Sequence, residues 1–554
     1  MTIDQCITDI KFQFNVIGII DCAKYNPSSV DLYNKIQSLH KEVYENSDRL
    51  IFLISKDFYK KNSSAGIMLQ SLQIMINDID ISNFFVSVVT TNPKIKTEYQ
   101  WVVDNISTDK IPVTIYECDE EYLRLDGANQ LGYSKYQKIE NNSIIDPLSD
   151  KNKQLLFENA SFCMAPWTSI MIDQNSKVRP CCMFTGGDIG DCSVSSLEQI
   201  WNSDTVKQIR KDMLAGKKVN ACSVCYNNED LERDSLRKNL NRRFIHHSNK
   251  IDSTRKDGFN EYNLNYLDAR FNNLCNLSCR SCGPNASSSW YQPALAIGKI
   301  NKSVKALKIA GKDNHDIFDQ IIQQLDNIEC IYFAGGEPLM MEQFYQIVEE
   351  LDRRGRHDVE LVYNVNMTKW SLGERSVFDI WKNFKKISIG ASLDGEFQRG
   401  EYLRCGQRWD DVVRFRKEIL VNRPDIDFYI SSTTSILNAL HLPDFHRSWV
   451  DQGLIAPKDF NINLLFWPTY LSVDCAPKYL KDAIRKKYQE HIKWLQPLDP
   501  IGRATYGFKS VINYLDNDKE FDPVDFWSNI TPLDNYYELN LLEVFPELSN
   551  LPVN

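Results

Sequence analysis

Six short apolar segments, separated by amphipathic helical segments, follow one another between about residue 260 and residue 472. The segments are rich in β-branched and aromatic residues, which is typical of strands buried in a parallel sheet. Six strand–helix units in a row predict a parallel sheet curled into a partial (β/α)6 barrel, related to the complete eight-stranded form. The predicted strands are NLNYLDARF, CIYFAGGEP, VELVYNVN, KISIGASLD, DFYISSTTSI and FNINLLFWP.

The chain has 554 residues, which is too many for a single hydrophobic core, so we expect several domains. The predicted overall fold class is α/β. Residues 1–150 are predicted to form a small α/β domain of unknown role, because strand-like segments alternate there with helical ones. We further predict a cysteine-rich domain over 155–258, the partial barrel over 259–475 and a helical C-terminal extension over 476–554. The strand-like segments of the first domain are NVIGIID, RLIFLIS, FFVSVVTT and PVTIYE.

Composition and charge exclude several classes of function. A net charge of −10 argues against general nucleic-acid binding. No stretch approaches the roughly 18 consecutive apolar residues that a membrane-spanning helix needs. The first residues also lack the pattern of a secretion signal, so we predict a cytoplasmic location. One basic group has acidic neighbours and is interpreted as a solvated helix face: Arg233, Arg237, Lys238, Arg242 and Arg243.

Fifteen cysteines in a chain predicted to be cytoplasmic indicate metal binding or catalysis, because a reducing cytosol keeps thiols unpaired. Cys275, Cys279 and Cys282 follow directly on the first barrel strand, where βα loops build active sites. Their C-x3-C-x2-C spacing lets three thiolates of one loop bind three irons of a cubane cluster, leaving the fourth iron open to another ligand. A structural zinc site is the alternative, although it would need a fourth protein ligand that this loop does not supply.

A second cysteine group lies within the predicted 155–258 domain. Four thiolates drawn from a hairpin and a Cys-x2-Cys knuckle can bind either zinc or an iron–sulfur cluster, and the number of ligands does not separate the two. The group comprises Cys163, Cys181, Cys182, Cys222 and Cys225.

The second barrel strand ends in Gly335-Gly336-Glu337-Pro338, where glycines leave room for a ligand to approach the backbone. Together with the three-cysteine loop, this segment resembles the radical S-adenosylmethionine (SAM) superfamily. The resemblance implies a [4Fe–4S] cluster on Cys275, Cys279 and Cys282 as the catalytic centre. It also implies SAM on the open iron, and contact of the Gly-Gly-Glu segment with the SAM amino group. One departure is Ser281, where the family usually has an aromatic residue.

Later strand ends extend this resemblance. It implies that five polar residues face SAM, and that Phe466-Trp467-Pro468 closes over the adenine. A buried structural thiol is the favoured interpretation of Cys405, with hydrogen-atom donation as the alternative. The histidines have no metal-like spacing and receive no role. The five residues implied to contact SAM are Asn364, Asn366, Ser392, Asp394 and Asn438.

The second cysteine group resembles the SPASM and twitch auxiliary-cluster domains, placed here before the barrel. The resemblance implies that Cys163, Cys181, Cys222 and Cys225 hold an auxiliary [4Fe–4S] cluster. Cys182 is a fifth thiol, either packed or substituting for Cys181.

The function implied is reductive cleavage of SAM to a 5′-deoxyadenosyl radical, which removes a hydrogen atom from a substrate. A peptide or protein side chain is the leading substrate class, since SPASM and twitch relatives often modify peptides. A small molecule such as a sugar or nucleotide precursor is the alternative, and a non-catalytic metal-binding protein is a third hypothesis. Such enzymes need an electron donor such as flavodoxin or ferredoxin.

Overall fold

The computed structural model describes residues 149–230, 235–311, 316–499, 502–517 and 519–553, together with four strands nearer the N-terminus. The chain divides into two compact units. The first contains Met1–Gly127 and Tyr133–Asp146, and the second contains Ala128–Gly132 and Pro147–Asn554.

The four strands of the first unit form a parallel sheet in which each strand pairs with the next along the chain. They coincide with the four segments that the sequence predicts as strands, and their β-branched and aromatic residues explain that preference. The helices predicted between them lie outside the described residues. The strands are β1 (Val16–Asp21), β2 (Arg49–Ile54), β3 (Phe85–Thr90) and β4 (Val113–Glu117).

The second unit is built on a nine-stranded sheet, of which seven neighbouring strands are parallel. All six strands predicted for the barrel are present, and they are neighbours in chain order. That order is the one that successive strand–helix units produce. Across the sheet the parallel strands are β17 (Phe460–Leu464), β16 (Asp427–Thr434), β14 (Ile387–Ala391), β11 (Glu360–Val365), β10 (Cys330–Phe333), β8 (Tyr266–Ala269) and β5 (Ser169–Ile172).

Strand β5, the last of the parallel strands, joins the cysteine-rich segment to this sheet. It pairs parallel with β8 and antiparallel with β6 (Lys177–Arg179), which pairs in turn with β7 (Gly190–Asp191). The hairpin expected in this segment therefore exists, and its first strand extends the sheet of the predicted barrel.

Amphipathic helices separate the parallel strands. In α10, Phe344, Ile347, Val348 and Leu351 are buried, which is the i, i+3, i+4, i+7 pattern of one helix face against a sheet. These helices are α8 (Tyr291–Ala296), α9 (Asp316–Ile322), α10 (Glu342–Arg353), α11 (Val377–Trp381), α12 (Phe397–Leu403), α13 (Trp409–Asn422) and α14 (Leu442–Asp451). Four very short strands lie in the connections: β9 (Ser278–Cys279), β12 (Ser371–Leu372), β13 (Arg375–Ser376) and β15 (Arg404–Cys405).

The cysteine-rich segment carries seven helices among the described residues. One expectation about it is wrong: Arg237, assigned to a solvated helix face, is buried. Its guanidinium pairs with Glu229 and donates to the carbonyls of Asn159 (3.0 Å) and Phe162 (2.7 Å), which satisfy its charge inside the protein. The helices are α1 (Asp150–Lys153), α2 (Ala165–Thr168), α3 (Leu197–Trp201), α4 (Asp204–Leu214), α5 (Ser223–Asp230), α6 (Leu236–Arg243) and α7 (Asn249–Asp252).

Within the described residues, four α-helices lie between Lys478 and Val544, in the segment predicted as a C-terminal extension. Leu533, on its third helix, packs against Trp290 and Ala294, which follow the three-cysteine loop. The helices are α15 (Lys478–Leu495), α16 (Arg503–Tyr514), α17 (Pro523–Tyr537) and α18 (Leu541–Val544). None of the helices in the described residues has the length and apolar character needed to cross a membrane.

Candidate cysteine metal centres

The three-cysteine loop begins after β8, and its thiols lie close enough together to influence one another's ionisation. Cys275, Cys279 and Cys282 are each half-buried. Burial raises the pKa of Cys275 to about 11, and the nearby Glu337 and Cys282 add to that rise. Burial also raises the pKa of Cys279, and the charge of Arg404 opposes the rise. The loop thus concentrates three sulfur donors beside one carboxylate and one guanidinium.

The Gly-Gly-Glu-Pro segment after β10 lies directly against this loop. The amide of Gly336 donates to the carbonyl of Asn272 (3.2 Å) and the amide of Glu337 to that of Leu274 (2.7 Å). A Cβ atom added at Gly336 would lie 2.1 Å from the Leu274 carbonyl oxygen, and Gly335 has φ +111°. Both positions therefore require glycine, because a side chain would displace the cysteine loop. A turn at Pro338–Met340 ends the segment.

Glu337 is buried below the loop, and its side chain is held by backbone groups. Its carboxylate accepts from the amides of Leu339 (3.2 Å) and Asn366 (2.7 Å). Burial raises the pKa of Glu337 to about 7, although these two hydrogen bonds oppose the rise. The Asn366 side chain donates to Asn276 Oδ1 (2.9 Å) and lies 3.9 Å from Cys275 Sγ. Glu337 and Asn366 thus place two polar side chains among the predicted SAM contacts next to Cys275.

The other predicted SAM contacts have different surroundings. Asn364 donates to the Tyr332 hydroxyl (2.5 Å), and Ser392 follows β14 with its amide bonded to Val365 (2.8 Å). The Asn438 side chain is buried and has both amide atoms in use. Its Oδ1 accepts from the Ser435 amide (2.8 Å), and its Nδ2 donates to the carbonyls of Asp394 and Thr433 (2.9 Å each). We therefore give Asn438 a structural role in the loop after β16.

Arg404 is a site residue that sequence reasoning missed. The strand β15 pairs antiparallel with β9, and this register sets Arg404 opposite Cys279. Arg404 Nη1 lies 3.7 Å from Cys279 Sγ, and its Nη2 lies 2.8 Å from Asp394 Oδ2. Its neighbour Cys405 is buried and donates to the Tyr402 carbonyl (3.4 Å), as a structural thiol would. The only local signal for Arg404 was its position beside a cysteine already singled out.

The aromatic pair that follows β17 does not cover the site in this structure. Phe466 and Trp467 are 64% and 71% exposed. The proposed closure of this segment over an adenine stays a prediction.

Four members of the second cysteine group line one pocket: Cys163, Cys181, Cys222 and Cys225. Cys163 and Cys225 are buried, and Cys181 and Cys222 are half-buried. Burial raises the pKa of Cys222 to about 12, and the neighbouring Cys225 adds to the rise. Apolar side chains complete the wall, among them Phe184, Ile209, Met213, Leu236 and Leu240.

Cys182 faces a different environment from Cys181. Cys182 does not line this cavity and is exposed. The surrounding protein nevertheless raises its pKa to about 12; Asp268 adds to that rise and Arg270 opposes it. Asp268 lies on β8 and Arg270 directly follows it, so Cys182 lies toward the sheet, whereas Cys181 lines the pocket with the other three cysteines.

Two adjacent histidines, His246 and His247, meet the carboxylate of Glu329 just before β10, although the spacing of the histidines predicts no metal site. The Nε2 of His246 lies 2.9 Å from one oxygen of Glu329, and the Nε2 of His247 lies 2.5 Å from the other. Burial acts to raise the pKa of Glu329, but these hydrogen bonds lower it to about 2.

A metal-binding histidine usually donates from its second nitrogen. The Nδ1 of His246 is buried without a hydrogen-bond partner in the part of the chain that the structure describes. We interpret the hydrogen bonds of the two histidines to Glu329 as a structural contact that joins the cysteine-rich segment to the sheet.

Residues 163–226 match the model of the SPASM family, an iron–sulfur cluster-binding domain. We refer to this matched segment as the SPASM domain. The match begins at Cys163 and includes Cys181, Cys222 and Cys225, so the predicted resemblance of this segment is confirmed. It favours an iron–sulfur cluster over zinc in the SPASM domain. A comparison with curated protein sequences found no match.

Solved structures with local similarity include anSMEcpe with bound AdoMet and Cp18Cys peptide, which is 17% identical with a TM-score of 0.29. That alignment covers 42% of this chain and 59% of anSMEcpe. SuiB from Streptococcus suis, bound to S-adenosylmethionine, is 13% identical with a TM-score of 0.26, over 53% of this chain and 62% of SuiB. TM-scores this low do not establish a common overall fold, and this chain spans less than two thirds of either protein.

Proposed function

We propose that the chain is a radical SAM enzyme that binds a [4Fe–4S] cluster through Cys275, Cys279 and Cys282. The observation that carries the proposal is that three thiols of one loop lie against the Gly335–Glu337 turn. Loop and turn follow neighbouring parallel strands, at the edge of the sheet where barrel enzymes place their catalytic loops. We also propose that this sheet is curled into the partial barrel.

The donor set fits such a cluster. The loop offers three sulfur atoms, and the adjacent Cys405 is turned away because its thiol bonds to the Tyr402 carbonyl. Three ligands leave one iron open, which distinguishes a catalytic cluster from a closed structural one. When bound, the cluster supplies one electron for cleavage of SAM to methionine and a 5′-deoxyadenosyl radical, which removes a hydrogen atom from the substrate.

The chain's own residues bind and orient SAM in this proposal. The glycines at 335 and 336 expose backbone groups at the loop, so a ligand can approach without meeting a side chain. Glu337 and Asn366 are fixed beside Cys275 by backbone and side-chain hydrogen bonds, so the polar groups for the SAM amino end need no reorganisation. Asn364 and Ser392 remain predicted contacts for the rest of the ligand.

We further propose that the SPASM domain holds an auxiliary [4Fe–4S] cluster on Cys163, Cys181, Cys222 and Cys225. Because Cys181 lines the cavity and Cys182 does not, Cys181→Ser is expected to lose this cluster while Cys182→Ser keeps it. Iron and sulfide analysis of the two variants, with the wild type as reference, tests the assignment. The reverse result would make Cys182 the ligand, and zinc in the purified wild type would support the zinc alternative.

The substrate class proposed is a peptide or protein side chain. Its support is the SPASM domain, since peptide modification is common among the enzymes that the cysteine motifs resemble. A small sugar or nucleotide precursor is the second candidate. An electron donor such as flavodoxin or ferredoxin and a cytoplasmic location complete the proposal.

The deciding experiment is anaerobic reconstitution of the full chain, followed by SAM and dithionite and quantification of 5′-deoxyadenosine by chromatography. Wild type is expected to form the product and Cys275→Ala to form none, because the variant lacks a ligand of the catalytic cluster. Electron paramagnetic resonance (EPR) of the reduced protein should also change when SAM is added.

A wild type that carries iron and sulfide at both sites, yet neither forms product nor changes its spectrum with SAM, would contradict the proposal. The chain would then be better described as a metal-binding protein without radical chemistry.

A further inference from the structure

We propose that Arg404 raises the reduction potential of the catalytic cluster by placing a buried positive charge against the sulfur of Cys279, and that Asp394 holds and partly neutralises that charge. This inference rests on the proposed function. In this inference the charges of Arg404 and Asp394 shift the reduction potential of the cluster in opposite directions. The role predicted for Asp394 therefore changes, since the sequence resemblance implied that it contacts SAM.

The position of Arg404 is fixed by backbone pairing. The strands β9 and β15 form a two-stranded antiparallel ladder, in which Cys279 is the direct partner of Arg404 and Ser278 that of Cys405. The amide of Arg280 also donates to the carbonyl of Leu403 (2.8 Å), so the pairing continues beyond the ladder. The guanidinium therefore approaches the sulfur because of the fold of the chain.

Few groups around the Arg404 guanidinium balance its positive charge. The Arg404 side chain is 9% exposed, and its Nε is buried without a hydrogen-bond partner among the described residues. The other two nitrogens lie against Asp394 Oδ2 (2.8 Å) and Cys279 Sγ (3.7 Å). Such burial is costly unless the charge is paired. A thiolate at Cys279 supplies a second negative partner.

Asp394 is held in turn by β16. Its Oδ1 accepts from the Thr433 amide (2.7 Å), and its Oδ2 is in contact with Arg404. Both oxygens are thus engaged within the protein, and the carboxylate is buried. This arrangement suits a counter-charge for Arg404 better than a ligand contact.

The direction of the effect follows from charge. A reduced cluster carries one more negative charge than an oxidised one, so a nearby cation stabilises the reduced form and raises the potential. Hydrogen bonds to the cluster sulfurs act in the same direction, and both are recognised determinants of iron–sulfur potentials. Removal of Arg404 should lower the potential, and removal of the Asp394 charge should raise it.

The alternative is that Arg404 and Asp394 form a purely structural ion pair. That role predicts similar consequences for loss of either partner, such as poorer folding or weaker iron binding. Opposite shifts of the potential are expected only if the two charges act on the cluster.

The test is a redox titration of the reconstituted full chain followed by EPR. The signal of the catalytic cluster is identified as the component that Cys275→Ala lacks. Arg404→Gln should shift the midpoint of this component to more negative potential, and Asp394→Asn should shift it to more positive potential. Arg404→Lys, which keeps the charge, should stay near wild type.

Arg399→Gln is the matched control, because Arg399 also pairs with a carboxylate but binds Glu547 on the C-terminal extension. Its midpoint should equal that of wild type. Unchanged midpoints in Arg404→Gln and Asp394→Asn, or shifts in the same direction, would overturn the inference.

If Arg404→Gln assembles no cluster, the other two variants still test the inference. A positive shift of the midpoint potential in Asp394→Asn, with no shift in Arg404→Lys, supports the inference. Any other pair of results rejects it. A wild type without a component that depends on Cys275 would instead refute the proposed function.

Discussion

The two cysteine sites differ in how their ligands are brought together and in what surrounds them. The site after β8 takes its three candidate ligands from one loop, Cys275 to Cys282, and charged or polar groups border it, among them Glu337, Asn366 and Arg404. The SPASM site takes ligands from Cys163 to Cys225 and is enclosed largely by apolar side chains. An apolar wall suits a closed, fully ligated cluster, whereas a polar border suits a site that must also hold a ligand.

Each site also has a buried arginine, and the two arginines do different things. Arg237 donates to Glu229 and to the carbonyls of Asn159 and Phe162, so its hydrogen bonds hold the SPASM domain together. Arg404 divides its contacts between Asp394 and the sulfur of Cys279. Arg237 also lines the pocket of the SPASM cysteines, but its side-chain hydrogen bonds go to Glu229 and to carbonyls, whereas Arg404 directs one nitrogen at a cysteine sulfur.

The largest effect that separates the sites is expected from Gly336→Ala. Its new Cβ atom would lie 2.1 Å from the Leu274 carbonyl oxygen, so the three-cysteine loop must move. We expect loss of the catalytic cluster, which is about half of the total iron when both sites hold four-iron clusters. Iron analysis and EPR measure the loss.

Gly283→Ala is the control for this prediction, because a Cβ atom at Gly283, in the same loop, meets nothing within 4 Å. It should retain full iron. Equal iron content in Gly336→Ala and Gly283→Ala would show that the turn does not support the loop.

The next effect is expected from Arg237→Ala in the SPASM domain. Removal of one partner from a buried ion pair leaves Glu229 uncompensated, which costs about 3–5 kcal/mol of unfolding free energy. Urea denaturation followed by circular dichroism measures it, with the exposed Lys238→Ala on the same helix as control. A loss no greater than that of the control would mean that the ion pair contributes nothing, and the contrast with Arg404 would fail.

The smallest effect is expected from Tyr537→Phe on α17. The Tyr537 hydroxyl is hydrogen-bonded to Ser278 beside Cys279, and a single such bond contributes about 1 kcal/mol to the unfolding free energy. The neighbouring Tyr536→Phe is the control, since Tyr536 is 41% exposed. Urea denaturation of the two variants shows whether the C-terminal extension stabilises the catalytic loop; equal midpoints would contradict that role.

Much of the fold was predictable because its signals are local. The six strands predicted for the barrel and the four strands of the first unit are short apolar runs whose composition indicates strands wherever they lie in the chain. The spacing of Cys275, Cys279 and Cys282, and of Cys222 and Cys225, indicates metal binding for the same reason, since a few residues of backbone bring the ligands together.

The remaining features depend on contacts between distant segments. Arg404 meets Cys279 across 125 positions of sequence, and His246 meets Glu329 across 83, so neither pairing leaves a local pattern. Arg237 looked like a surface residue because its neighbours are charged, and only the packing of α6 buries it.

The sequence by itself determined the strands and the two cysteine groups, because spacing and alternation are properties of short segments. The tertiary structure alone decided which charges border the catalytic sulfurs, that Cys181 rather than Cys182 lines the SPASM cavity, and that Asn438 and Asp394 are engaged by the protein itself. Electrostatic environment and burial arise from segments brought together by folding, so they exist only once the chain is folded.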